Sequence, residues 1–460
     1  MNNEQKYVSD AKESVVDEVN DNNPSKLDGD GTSTNTPNYT ERGAGLNLKH
    51  LRTFTSFKNP VFRLYYGAMM GQMAAMNMQM VARSLLVYEL TGSGTALGTM
   101  ALGNAMPMLF FSLFGGVIAD RVEKKHVLIW GQIASAVISI LTALLLVSGV
   151  MSADKEGSWL WLIVAALAQG TVMGLMMPSR QAMIADIVPQ NDLMNAVALN
   201  TFGMNALRLL SPIPVGFIIY YFGFDSVYFV MTLMYIIAII FMILMPKTGV
   251  VSLKGRGAMK DALDGLKYAR NEPTIFIVLV VTFIVTLLSM PYMMLLPALT
   301  DTVLNVDERG FGILLSMSGV GAMLGSIVLA SLPNRKRGLM LMIGSLISGV
   351  ALTGLFFVDS IFPSMMWMAA LGFIFFVGIG QTIRMTLGNT LIQYYVNPAY
   401  RGRVMSLMMM EFGLTSVGVF AAGLMTDIIG IQWSVGGMAI ALIIFSILGT
   451  IFIPRIRKLE

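Results

Sequence analysis

The sequence predicts an all-α integral membrane protein, with about twelve transmembrane helices in two pseudo-symmetric six-helix bundles. Three observations carry this expectation: a deficit of charge, a series of apolar runs of spanning length, and a match between the two halves of the chain. Only 13% of the 460 residues are charged and 55% are hydrophobic, whereas soluble globular chains carry about 25% charged residues. With a mean hydropathy of +0.68, most side chains are built to avoid water.

Residues 1–56 precede the first apolar run. They are rich in Asn, Asp, Ser, Thr and Lys and poor in aromatics, a composition that predicts a disordered tail. No apolar h-region precedes them, so a cleaved signal peptide is not expected. A first bundle is expected over 57–246, with runs near 64–88, 95–119, 126–150, 158–180, 194–221 and 225–246. A second is expected over 274–454, with runs near 274–298, 311–332, 338–358, 362–388, 403–428 and 433–454. Each run is long enough to cross roughly 30 Å of hydrocarbon at about 1.5 Å per residue.

Loop charges orient the spans. Lys124, Lys125, Arg180, Lys247, Lys254, Arg256, Lys260, Lys267, Arg270, Arg335, Lys336, Arg337, Arg401, Arg403, Arg455, Arg457 and Lys458 fall on one side; the opposite loops hold only Lys155 and Arg309 among basic residues. The positive-inside rule makes the basic side cytoplasmic, with both termini, the tail 1–56 and the basic C-terminus 455–460 there, in a multi-pass protein of the cell membrane. The same asymmetry explains the pI of 9.1, so no nucleic-acid partner is needed. The connector 247–273 carries Ala262, Leu263, Leu266 and Tyr268 among Lys and Asp, an amphipathic pattern suited to the membrane surface.

The halves read as copies. A shift of 208 residues pairs Trp159 with Trp367, Gly170 with Gly378, Ile184 with Ile392, Val188 with Val396 and Leu199 with Leu407; a shift of 207 pairs Gly216 with Gly423 and Gly223 with Gly430. Six-helix halves in parallel duplication can rock about a site at mid-membrane, which is a transporter's architecture.

Between the second and third spans stands FGGVIADRVEKKHVL. Its Gly116, Asp120, Arg121, Lys124 and Lys125 resemble the Gly-x-x-x-Asp-Arg-x-x-basic-basic signature of the major facilitator superfamily, and span count, orientation and connector extend the resemblance over nearly all the chain after the tail. The resemblance implies a cytoplasmic gate in which Asp120 faces the positive N-terminal end of the eleventh span, near Gly402 and Arg403. Gly116 would let the helix pack closely. Glu123 departs from the family, which usually has a second Gly there, and LPNRKRG at 332–338 is a degenerate echo in the other half. The segments around 178–219 and 393–413 resemble the enterobactin-exporter-like and macrolide-efflux-like branch. Arg208, Ser211, Pro212 and Gly216 look like an exporter Arg-x-x-Gly-Pro motif with Ser211 in place of Gly, and Pro212 and Pro214 are expected to bend the fifth span.

Four ionisable residues lie inside spans: Arg83, Arg208, Arg384 and Glu411. Each costs about 2.5–3.5 kcal/mol at mid-bilayer, so pairing or a wet cavity is expected. Glu411 is the only carboxylate deep in a helix, and two readings stand: a proton-coupling site, or a buried ion pair with Arg384. Arg83 and Arg208 could attract an anionic substrate or counter-charge Glu89; a structural Arg208 is as good a reading. The superfamily's fourth-span Arg is replaced by the Gln169–Gly170 stretch. Gln72, Met76, Asn77, Gln79, Arg83, Asn104, Asn200, Asn205 and Gln381 are candidates for a substrate cavity. The Met-rich GQMAAMNMQM suits variable shapes, although packing filler is the simpler reading for a chain with 39 Met.

The leading functional expectation is a proton-coupled secondary exporter of amphipathic small molecules, drug or siderophore type; an importer of a siderophore or nutrient is the alternative. No P-loop is present, and no clustered nucleophile–base or metal set suggests an enzyme. Loops too short for an external domain speak against a receptor. With no Cys and only His50 and His126, no metal or other cofactor is expected. Expected partners are substrate, protons and lipid, and the superfamily resemblance implies a monomer.

Overall fold

The computed structural model describes residues 56–190, 192–246, 266–332, 335–397, 400–457 and 459. The expectations for the tail and for most of the amphipathic connector fall on 1–55 and 247–265, outside the described residues.

The main helices run in the order α1 (Pro60–Thr91), α2 (Gly94–Arg121), α3 (Lys124–Val147), α4 (Leu160–Ile187), α5 (Leu193–Leu210), α6 (Pro212–Leu244), α7 (Pro273–Ser289), α8 (Tyr292–Thr302), α9 (Glu308–Ser331), α10 (Arg337–Phe356), α11 (Met366–Tyr395) and α12 (Arg401–Phe452). Local signals set several ends. Asn59 caps α1, its Oδ1 accepting from the Val61 N–H at 2.9 Å with Pro60 in the first turn, and Gly92 at φ 59° ends it. Such αL termini favour glycine because Cβ is absent. Ser93 caps α2 and Asp307 caps α9.

Helices and spans do not correspond one to one. Among the described residues eight helical stretches are long and apolar enough to cross a membrane. Two of them, Leu193–Leu244 and Gly413–Phe452, have 52 and 40 residues, about 78 and 60 Å of helix. Both therefore fold back, α6 at Gly223 (φ 82°, ψ 171°) and α12 at Gly430 (φ 82°, ψ 158°). These positions, equivalent in the repeat, supply the fifth-to-sixth and eleventh-to-twelfth turns. With α1 and α2 the spans number twelve; α7 and α8 form one, broken at Met290–Pro291.

The repeat is also legible in packing. A methyl group on Gly170 of α4 would stand 2.1 Å from the Asn104 carbonyl oxygen of α2, and one on Gly378 of α11 would stand 2.0 Å from that of Ser318 on α9. α5 ends at Leu210 and α6 begins at Pro212, so the helix is interrupted at Ser211 as expected; Gly216, further along α6, does not make that break. Instead it brings α6 against α9, where a methyl would meet the Glu308 carbonyl oxygen at 2.3 Å.

The apolar core has an informative division. At the end away from the basic loops, the far end, one buried cluster joins residues of both halves, such as Leu86, Met100, Val227, Leu296, Leu314 and Val435. At the basic end there are two clusters, one of first-half residues such as Phe62, Met183 and Met242, the other of later residues such as Val285, Leu391 and Leu407. Among the described residues the buried core thus joins the two bundles at the far end and is divided between them at the basic end.

Candidate transport site and gates

The break in the seventh span follows from Pro291, which has no N–H to continue the ladder. It places Thr286, at the end of α7, and Tyr292, at the start of α8, beside α11. On α11, Gln381 and Arg384 are three residues apart and share a face. Glu411 comes from α12. Thr286, Arg384 and Glu411 lie 13, 11 and 10 residues from the basic ends of their helices, about 15–20 Å deep.

Arg384 is fully buried, and its Nη1 donates to Thr286 Oγ1 at 2.6 Å and to Glu411 Oε1 at 3.3 Å. The Thr286 hydroxyl in turn donates to Glu411 Oε1. Glu411 keeps 18% of its side chain exposed, in contrast to Arg384. Tyr292 donates to Gln381 Oε1 at 3.2 Å, and the Gln381 amide rests on Met290 Sδ at 3.4 Å. Arg208 is exposed on α5 and acts electrostatically on both Arg384 and Tyr292.

The other candidate cavity residues separate into smaller sets. Arg83 Nη1 donates to Asn104 Oδ1 at 3.4 Å, with Tyr228 and Tyr235 of α6 close by; this is the interior of the first bundle. Glu89 is exposed beside Glu308 at the far end and does not counter-charge Arg83. Met76 Sδ accepts from Arg180 Nη1 at 3.8 Å, Gln72 Nε2 reaches Met176 Sδ at 3.9 Å and Asn200 Nδ2 reaches Met204 Sδ at 3.7 Å. Asn77 is turned to its own helix, on the Met73 carbonyl at 2.8 Å; Gln79 is buried and Asn205 exposed. Arg180, read from sequence as a loop charge, is seven residues inside the end of α4 and half-buried.

At the basic end, Lys124 pairs with Asp186 at 2.5 Å, and Lys125 Nζ donates to the Ile243 carbonyl at 3.0 Å. Both bonds hold the turn to its own bundle. Arg121 is exposed, and the Arg403 guanidinium lies 5.4 Å from the Tyr400 ring. A methyl on Gly116 would meet nothing within 4 Å; the close approach is made by Gly115, where a methyl would stand 2.6 Å from the Gly174 carbonyl oxygen of α4.

The far end carries a clasp that sequence reasoning missed. Asp427 of α12 accepts from Ser93 Oγ at 2.7 Å and from the N–H groups of Gly94 at 2.7 Å and Thr95 at 3.0 Å. A carboxylate of the second bundle thereby caps the N-terminus of α2, where orphan N–H groups and the helix dipole favour an anion. Gly94 and Gly423 permit the approach; a methyl on Gly423 would stand 2.2 Å from the Gly94 carbonyl oxygen. A second tie has Arg309 over the Tyr220 ring at 3.7 Å while pairing with Asp307 at 2.6 Å. Partial burial opposes ionisation of Asp307, but hydrogen bonds from the Arg309 side chain and the Gly310 N–H hold its carboxyl below the usual range.

Comparisons agree with this architecture. The chain is similar to the staphyloferrin A transporter of Staphylococcus aureus, 24% identical over 411 residues, covering 88% of this chain and 97% of the relative. It is similar to macrolide efflux protein A of Streptococcus pyogenes, 23% identical over 414 residues and covering 86% and 97%. It is also similar to the multidrug resistance protein MdtG of Salmonella typhi, 24% identical over 342 residues, covering 72% and 80%. The fold is that of a bacterial homologue of the human lysosomal transporter Spinster, inward-facing and unoccupied, with a TM-score of 0.67 at 13% identity, covering 87% of this chain and 97% of that one. The nucleoside transporter NupG gives 0.65 at 14% identity, covering 84% and 99%. A family model described as transmembrane secretion effector matches residues 51–460. The chain belongs to this transmembrane secretion effector family of the major facilitator superfamily: it is a multi-pass membrane transporter and not an enzyme.

Proposed function

We propose that the protein is a proton-coupled secondary exporter of amphipathic small molecules, of drug or siderophore type, working by alternating access. The observation that carries this reading is Glu411, a half-buried carboxylate at mid-depth held by Arg384 and Thr286. A carboxylate there changes charge by taking one proton, and its partners then lose their anion. Relatives named for siderophore transport, macrolide efflux and multidrug resistance support small-molecule cargo of this kind.

In this reading the basic loops face the cytoplasm and the structure is the cytoplasm-open state, with Asp427 closing the outside. Gly116, Asp120, Arg121, Lys124, Lys125 and Arg403 form the gate that closes the cytoplasmic side in the opposite state. The protein works as a monomer of two bundles, 57–246 and 274–454, joined by the connector 247–273.

The test is transport in proteoliposomes with an imposed proton gradient, following siderophores, macrolides and cationic dyes with wild type and Glu411→Gln. Gradient-driven accumulation by wild type, abolished in the variant, is the expected result. Undiminished transport by the variant would return Glu411 to a purely structural role.

A further inference from the structure

We propose that Arg384 and Arg208 form an anion-binding subsite between the two bundles, which takes the carboxylate or a similar oxyanion of an amphipathic substrate. This names a substrate class for the transporter proposed above and rests on that reading, though not on proton coupling.

The first observation is which atoms of Arg384 are occupied. Nη1 bonds Thr286 and Glu411, while Nε and Nη2 are buried without a hydrogen-bond partner. Those two nitrogens make up one whole edge of the guanidinium, the edge that grips an oxyanion through two parallel N–H···O bonds. An unpaired buried donor is costly, and more so when charged. A fully buried arginine with this entire edge free is a receptor for an anionic fork.

The second observation is charge. Arg208 comes from the first bundle and has no acidic partner among the described residues. Leu209, beside it, packs on Gly319 of α9, where a methyl would stand 3.1 Å from the Leu209 Cα, so Arg208 sits at the seam between bundles. It acts on Arg384 and Tyr292. The cluster thus holds two guanidiniums and one carboxylate, Glu411, whose Oε1 lies on the Nη1 side of Arg384. An anionic group on the free edge brings the cluster to neutrality, which a low-dielectric interior favours.

The experiment measures binding to the purified full-length chain in detergent, using 2-naphthoate, 2-naphthamide and 2-naphthylmethylamine, compounds of one shape and three charges. 2-Naphthoate is expected to bind at least about tenfold more tightly than the other two. Arg384→Lys keeps the charge but lacks the two-nitrogen edge, and should remove most of that preference. Arg208→Gln, at an exposed site, should weaken it, and Arg208→Lys should restore it. Melting temperatures confirm that each variant is folded. Equal binding of the three compounds, no binding of 2-naphthoate, or an unchanged preference in both Arg384→Lys and Arg208→Gln would overturn the subsite. A 2-naphthoate preference without gradient-driven transport would overturn only the exporter reading.

Discussion

Arg384 has no exposed surface, so its charge depends on neighbours, and the hydroxyl of Thr286 is the smallest of them. That oxygen accepts from Arg384 and donates to Glu411 at once. Thr286→Val keeps the volume and removes both bonds; it should destabilise the fold by about 1–3 kcal/mol, read as a lower melting temperature, and impair gradient-driven transport. The pair of Arg384 and Glu411 was legible in the sequence because two deep opposite charges are costly apart. Thr286 and Tyr292 were not, since hydroxyls are common in membrane helices and nothing local marks those that meet a charge. Arg180 was misplaced because an apolar run shows where hydrocarbon ends, not where α4 ends.

At the scale of elements, α2 and the first part of α12 form the contact that alternating access would have to break. They touch along the far end through Gly94, Gly98, Phe420 and Gly423, and Asp427 fastens them. Its three hydrogen bonds contribute about 0.5–1.5 kcal/mol each, so Asp427→Ala should shift the equilibrium toward the far-end-open state by tenfold or more. Spin labels on cysteines introduced at Thr91 and Ile428 of a chain with no native Cys would report this as a longer distance, and an unchanged distribution would refute it. The sequence put Gly223 and Gly430 in register as part of the duplication, but did not mark them as hairpin turns. It did not show that Gly216 meets α9, because close approach between helices is a property of both partners.

For the whole molecule, the duplication, the twelve spans and the lopsided loop charges were legible, because a bilayer imposes length, apolarity and charge bias on the chain. The division of the core was not, since both states use the same spans; among the described residues the core is single at one end and divided at the other. Orientation is testable in cells. A cysteine at Ser152 should react with a membrane-impermeant maleimide in intact cells, and one at Arg335 only after permeabilisation; the reverse pattern would invert the topology. The far face has one more property, set by its turns. Its connections are residues 92–93, the single glycines 223 and 430, the short 303–307, and two longer segments, 148–159 and 357–365. A face stitched so tightly offers an antibody or a protease little chain to grasp, so binders raised against that side should converge on 148–159 and 357–365.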